Sequence, residues 1–170
     1  MTETPDPSMQ TVPAVDAPTT APATAPLCYV VDDDASIRHF LSLVLHGAGI
    51  DTMEFPDGAG MRAAIGIRVP DLVFLNISLE AADSIETVIA LGRGGFRGHV
   101  QLTSMRGAAV LDHVKNIGPQ HRLNMLPVLK KPFETLALQS ILRDLKLGNP
   151  ALSEIKIELA TALKNGWIEF

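Results

Sequence analysis

The sequence has one cysteine, Cys28, so no disulfide can form within the chain, and a cysteine-based zinc site is disfavoured with it. It has no uninterrupted apolar run of the roughly 18 residues that a bilayer-spanning helix needs. Its amino terminus lacks the basic start and apolar core of a signal peptide, which argues against export and for a cytoplasmic location. A basic field is missing too. The net charge is −5 and the Lys and Arg residues are scattered, which argues against direct nucleic-acid binding. His39, His46, His99, His113 and His121 include no ligand pair at one-turn spacing, so each reads as a surface or boundary residue. Gly92, Gly94, Gly95 and Gly98 do not make a nucleotide fingerprint, because Arg97 stands where its last glycine belongs. A flexible helix-to-strand turn fits that segment better.

What is present suffices for one domain: the chain has 170 residues and is 46% apolar. Residues 1–26 are rich in Pro, Thr and Ala, with prolines at 13, 18, 22 and 26, and read as a disordered leader. The composition then changes abruptly. Leu27–Val31 is an apolar run closed by Asp32, Asp33 and Asp34, which marks a first strand. In the next segment Ile37, Phe40, Leu41, Val44, Leu45 and Ala48 recur at helical spacing, with Asp34 placed to cap the helix and Gly47 and Gly49 to end it.

The alternation continues with a strand over Ile50–Phe55, a weaker helix over Asp57–Ile67 and a buried strand over Leu72–Asn76. A helix over Ala82–Arg93 and a strand over Val100–Thr103 follow. Arg106–Ile117 predicts a fourth helix and Gly118–Met125 a long loop, before a fifth strand over Leu126–Lys130 and a fifth helix over Glu134–Leu147. Five strands alternating with five helices predict an α/β, doubly wound parallel sheet over residues 27–147.

In such a sheet the chemistry gathers at the carboxyl ends of the strands. Asp32, Asp33, Asn76, Thr103 and Lys131 all lie there. Adjacent aspartates offer hard oxygens suited to Mg²⁺, Lys131 an ammonium, and Thr103–Ser104 hydroxyls. The arrangement suits a phosphate-accepting carboxylate, except that its central residue is an amide.

Val30–Val31–Asp32–Asp33–Asp34, the apolar strand ending at Asn76, Leu102–Thr103–Ser104 and Lys130–Lys131–Pro132–Phe133 together resemble the motifs of response-regulator receiver domains. The resemblance implies a flavodoxin-like fold with strand order 2-1-3-4-5. It implies an aspartate phosphoacceptor at position 76, and Mg²⁺ held by Asp32, Asp33, residue 76 and the backbone carbonyl of Ser78. It implies further that Thr103 and Lys131 contact the phosphoryl group and that the Lys131–Pro132 bond is cis. Two departures stand out. The Asn76 amide is a poor nucleophile and brings no negative charge to the metal, so phosphoryl acceptance is expected to be lost and Mg²⁺ binding to be weak or absent. Receivers also place an aromatic switch residue three positions before the lysine, where this chain has Val128, expected to be an ordinary strand residue.

The expected function is therefore that of a pseudo-receiver with no catalytic residues and no required cofactor, working through protein contacts in signal transduction. Implied partners are an attached carboxyl-terminal output domain, a second copy in a homodimer, and a histidine kinase or other signalling protein; neither a membrane nor nucleic acid is implied. The alternative is a phosphoaccepting receiver of a phosphorelay in which Asn76 is engineered. Beyond Gly148–Asn149–Pro150, a new helix start, Leu152, Ile155, Leu159 and Ala162 form a narrow apolar seam suited to a partner helix. Residues 157–170 are similar to the opening of EAL-type cyclic-di-GMP phosphodiesterase domains, so 148–170 is expected to be a linker helix and the start of such a domain.

Overall fold

A computed structural model of the chain describes residues 25–77, 81–105, 114 and 116–148. Most of the expected leader, and the expected linker helix with its EAL-like end, lie outside these residues, as does Ser78. β1 (Leu27–Val31) leads into α1 (Ala35–Gly47), β2 (Asp51–Phe55), α2 (Gly58–Ala64), β3 (Leu72–Asn76), α3 (Ala81–Arg93) and β4 (His99–Ser104). Residues 114 and 116–120 are helical and are labelled α4. β5 (Asn124–Met125), β6 (Leu129–Lys130) and α5 (Thr135–Asp144) complete the order. All strand pairs are parallel, in the order β2-β1-β3-β4-β5, with β6 also on β4. This is the parallel sheet the alternation predicts, in the flavodoxin-like order that the receiver resemblance implies.

β1 is buried along its whole length because helices cover both faces of the sheet. Its alternate side chains divide between two cores. Tyr29 and Val31, with Val73 and Leu75 of β3, pack with Met61 of α2 and Val88 of α3. Cys28 and Val30, with Leu72 and Phe74, meet Leu41 and Leu45 of α1 and Leu138 and Leu142 of α5. Burial there pushes the Cys28 thiol far above its ordinary value, leaving it a small apolar core residue. α1 begins where the sequence predicts: the Asp34 carboxylate accepts from the Ser36 and Ile37 amides at 2.8 and 3.3 Å. Gly49, at φ 78°, makes the turn that returns the chain to β2.

The sheet edge departs from the sequence reading. In place of one strand over Leu126–Lys130 there are two short ones, and β4 pairs His99 with Asn124 but Thr103 with Leu129, so one extra residue is inserted between them. Pro127 lies in that bulge and has no N–H to give the ladder. Gln101 compensates, its side-chain amide donating to the Pro127 carbonyl at 2.7 Å and the Leu102 carbonyl at 3.0 Å. Val128 is accordingly not a strand residue; it sits between β5 and β6, partly buried against the core. The long loop expected over Gly118–Met125 is also corrected, because helix extends to residue 120. Gly118 belongs there for its small size: a Cβ would stand 2.3 Å from Met125 Cγ. α2 is shorter than expected, ending at Ala64.

Candidate functional site at the strand carboxyl ends

Asp32 and Asp33 follow β1, Asn76 ends β3, and Thr103 lies opposite Asn76 in the β3–β4 register. Lys131 follows β6, its amide donating to the Ser104 carbonyl at 2.9 Å, and the Lys131–Pro132 bond is cis, as expected. Parallel strands that start together end together, so these five residues share one edge.

Four of their side chains form two pairs, and Thr103 is buried beside them in β4. The Lys131 ammonium reaches the Asp32 carboxylate at 2.5 Å, and the ion pair is almost wholly out of water, with side-chain exposures of 6% and 1%. Burial pushes the Asp32 carboxyl up from its ordinary value, while the Lys131 hydrogen bond and the Asp34 amide pull it back. The second pair is Asn76 with Asp33: the amide nitrogen donates to a carboxylate oxygen at 2.7 Å. A carboxylate can only accept, so the nitrogen end of the amide has to face it. The Asn76 backbone is pinned as well, its carbonyl accepting from the Ser84 hydroxyl at 3.0 Å.

Beside these pairs lies a cleft of about 180 Å³ lined by Asp32, Asp33, Asp57, Asn76, Asp83 and Ser84, among others. Asp83 and Ser84, in the first turn of α3, are site residues the sequence reading missed. Asp83 accepts from the Gly58 amide at 2.7 Å and pairs with Arg62 at 2.8 Å; Arg62 also donates to the Thr87 hydroxyl at 2.6 Å. Arg38 was missed too; it donates to the Asp32 and Asp33 carbonyls at 2.7 and 3.3 Å, holding the turn after β1. The one signal in the sequence was an acidic residue in the first turn of a helix following the Asn76 strand.

The α2–α3 contact tolerates no side chain at Gly58, where a Cβ would lie 2.1 Å from Thr87 Oγ1 and 2.8 Å from Asp83 Oδ2. Gly58→Ala is therefore expected to lower stability by about 1–3 kcal/mol in urea unfolding, through overpacking and loss of the Arg62 bridge.

The Mg²⁺ that the receiver resemblance implies needs several anionic or carbonyl oxygens converging on one point. The donors do not fit it well. One Asp32 oxygen is engaged by an ammonium, one Asp33 oxygen by the Asn76 N–H, and position 76 supplies no charge. Among the described residues no group of three or more His, Cys, Asp or Glu side chains is arranged to hold a metal ion. Among the same residues no helix is long and apolar enough to cross a membrane.

No protein-family model matches the chain. Over 57 residues it is 42% identical to the DNA-binding response regulator MtrA of Mycobacterium tuberculosis, a match covering 34% of this chain and 25% of that protein. Over 59 residues it is 36% identical to the DNA-binding transcriptional regulator NtrC of Escherichia coli K12, covering 35% of this chain and 13% of NtrC. The matched stretch thus spans a quarter or less of these relatives. Among solved structures, Vibrio cholerae chemotaxis protein CheY4 superposes with a TM-score of 0.59 at 20% identity, covering 71% of this chain and 98% of that one. A response regulator from Colwellia psychrerythraea gives 0.61 at 19% identity, covering 72% and 97%. The beryllofluoride-activated NtrC receiver domain gives 0.55 at 24% identity, covering 72% and 94%. These likenesses establish the flavodoxin-like fold, and over about a third of its length the chain is similar to response regulators.

Proposed function

We propose that this domain is a receiver-like signalling module that is not phosphorylated and acts on an attached output domain through protein contacts. The observation that carries the reading is the pairing of the site with itself. Phosphoryl transfer to a receiver needs a carboxylate oxygen that attacks phosphorus while Mg²⁺ and a lysine neutralise the phosphoryl oxygens. At position 76 the attacking atom is replaced by an amide whose N–H is bound to Asp33, and Lys131 is engaged with Asp32. The ammonium neutralises Asp32 and the Asn76 N–H satisfies one Asp33 oxygen, so each carboxylate has a partner within the chain.

The exposed groups of this reading are contact surfaces rather than reacting atoms. Val128, in the bulge, offers no aromatic ring to turn between inward and outward positions, so the usual coupling from the site to the α4–β5–α5 face lacks its moving part. The similarity of residues 157–170 to an EAL opening supports a cyclic-di-GMP phosphodiesterase as the output. A histidine kinase or other signalling protein would then be a binding partner and not a phosphoryl donor to this domain.

Titration with Mg²⁺ by calorimetry tests the metal half of the reading. No saturation is expected below about 1 mM, the hard ion lacking one of its anionic ligands. A saturating isotherm below that concentration, lost on Asp33→Asn, would show that the self-pairing opens for metal and would defeat the reading.

A further inference from the structure

The two lateral edges of the sheet differ in what they leave for a further strand. On one side β5 and β6 are short, and the bulge with Pro127 interrupts their row of backbone groups. On the other side β2 pairs, among the described residues, with β1 alone, in unbroken register over its whole length. It contains no proline, lysine or bulge, the features that keep edge strands from pairing with other chains. The Asp51 amide donates to the Pro26 carbonyl at 2.8 Å and the Phe55 carbonyl accepts from the Asp32 amide at 3.1 Å, so Asp51, Met53 and Phe55 turn their backbone groups toward β1. Thr52 and Glu54 turn theirs outward.

We propose that β2 joins two copies of this chain, antiparallel about a two-fold axis at Met53. Antiparallel strands exchange both N–H···O bonds only between opposed residues whose backbone groups face each other. An axis at Met53 sets Thr52 of one copy against Glu54 of the other, which brings all the outward groups of both strands into register. Neighbouring axes do worse. An axis at Glu54 would oppose two carboxylates and set Thr52 against Pro56, which has no N–H. An axis at Thr52 would set Glu54 against Ile50, whose amide already donates to the Leu45 carbonyl at 3.0 Å.

The side chains agree with the register. On the α1 face the Thr52 hydroxyl would stand opposite the Glu54 carboxylate, and α1 steadies both: His46 lies 3.3 Å from the hydroxyl and Arg38 3.7 Å from the carboxylate. On the other face Met53, 39% exposed, would meet its own copy at the close, non-hydrogen-bonded position. Asp51 would stand opposite Phe55, so no like charges are opposed. A strand of this length buries little area, and the dimer belongs to the weak, reversible class. The sheet would run through both domains, with the two acidic clefts at opposite ends and the α4–β5–α5 faces left open. The proposal is independent of the state of Asn76.

Sedimentation equilibrium of the full chain between about 10 µM and 1 mM tests this pairing. Met53→Lys and Met53→Glu each place like charges directly across the axis, and each is expected to weaken self-association at least about ten-fold, with an unchanged far-UV circular dichroism spectrum. Mixed in equal amounts, the two variants oppose an ammonium to a carboxylate, and association is expected to return to the level of the unaltered chain or above it. An unaltered chain that stays monomeric throughout the range would overturn the proposal. Self-association that both variants leave unchanged would overturn it too, by placing the contact elsewhere. A mixture that associates no better than its components would overturn the register about Met53.

Discussion

Lys131→Met is expected to destabilise the domain by about 3–5 kcal/mol at neutral pH, as removal of one partner from a buried ion pair does. The ammonium is the direct counter-charge to an aspartate that is 2% exposed, and among the described residues no other cationic side chain is paired with that carboxylate. Arg38 donates to the Asp32 backbone carbonyl and not to its side chain. The effect should depend on pH in a direction that identifies its cause. Burial already raises the Asp32 carboxyl, and removing Lys131 takes away the group that chiefly opposes this. A carboxyl raised on folding lends stability fully below its unfolded value, about 3.9, and loses it as pH rises through the folded value. The deficit of the variant should therefore be smaller at pH 5 than at pH 8, as read by urea unfolding of both chains. A deficit of the same size at both values would mean that Lys131 acts by packing its stem rather than by its charge.

Asn76→Asp is expected to change the site from self-paired to metal-dependent. The hydrogen bond of 2.7 Å from the Asn76 amide to Asp33 would be replaced by two carboxylates facing one another. Like charges at about 4 Å repel by roughly 1 kcal/mol in water and 4 kcal/mol at the effective dielectric of a protein surface. Without divalent cation the variant should lose about 1–3 kcal/mol of stability through this repulsion. Mg²⁺ should restore that loss and bind at least about ten-fold more tightly than to the unaltered chain. Thermal unfolding with and without Mg²⁺ reads both effects. An unchanged melting temperature, insensitive to Mg²⁺, would mean that the remainder of the site has been lost as well as the acceptor.

Much of this site could be read from residue order because parallel strands make a sequence feature into a spatial one. Each apolar run that ends in a polar residue delivers that residue to the same edge, so residue order alone gathers Asp32, Asp33, Asn76, Thr103 and Lys131. The cap at Asp34 was readable for a local reason: its carboxylate serves amides two and three residues on. What could not be read depends on contacts between distant segments. The register shift on β4 is set by Pro127 together with Gln101, and only the proline shows in a local pattern. Gly118 reads as the start of a loop, yet it is a helix residue that lies close against Met125. Asp83 and Ser84 looked like an ordinary helix start, and their site role comes from a Gly58 amide and an Asn76 carbonyl on other elements. The choice of partners within the edge was equally hidden: that Lys131 takes Asp32 while Asn76 takes Asp33 follows from side-chain reach and burial.

Exposure of the full chain to acetyl phosphate with Mg²⁺, followed by intact-mass measurement and peptide mapping, tests the central claim most directly, with Asn76→Asp as the parallel sample. The account predicts no phosphoryl adduct on the unaltered chain, and an acid-stable, base-labile adduct at position 76 of the variant. An adduct of that chemistry on the unaltered chain, mapped to the end of β3 or to Asp32 or Asp33, would contradict it.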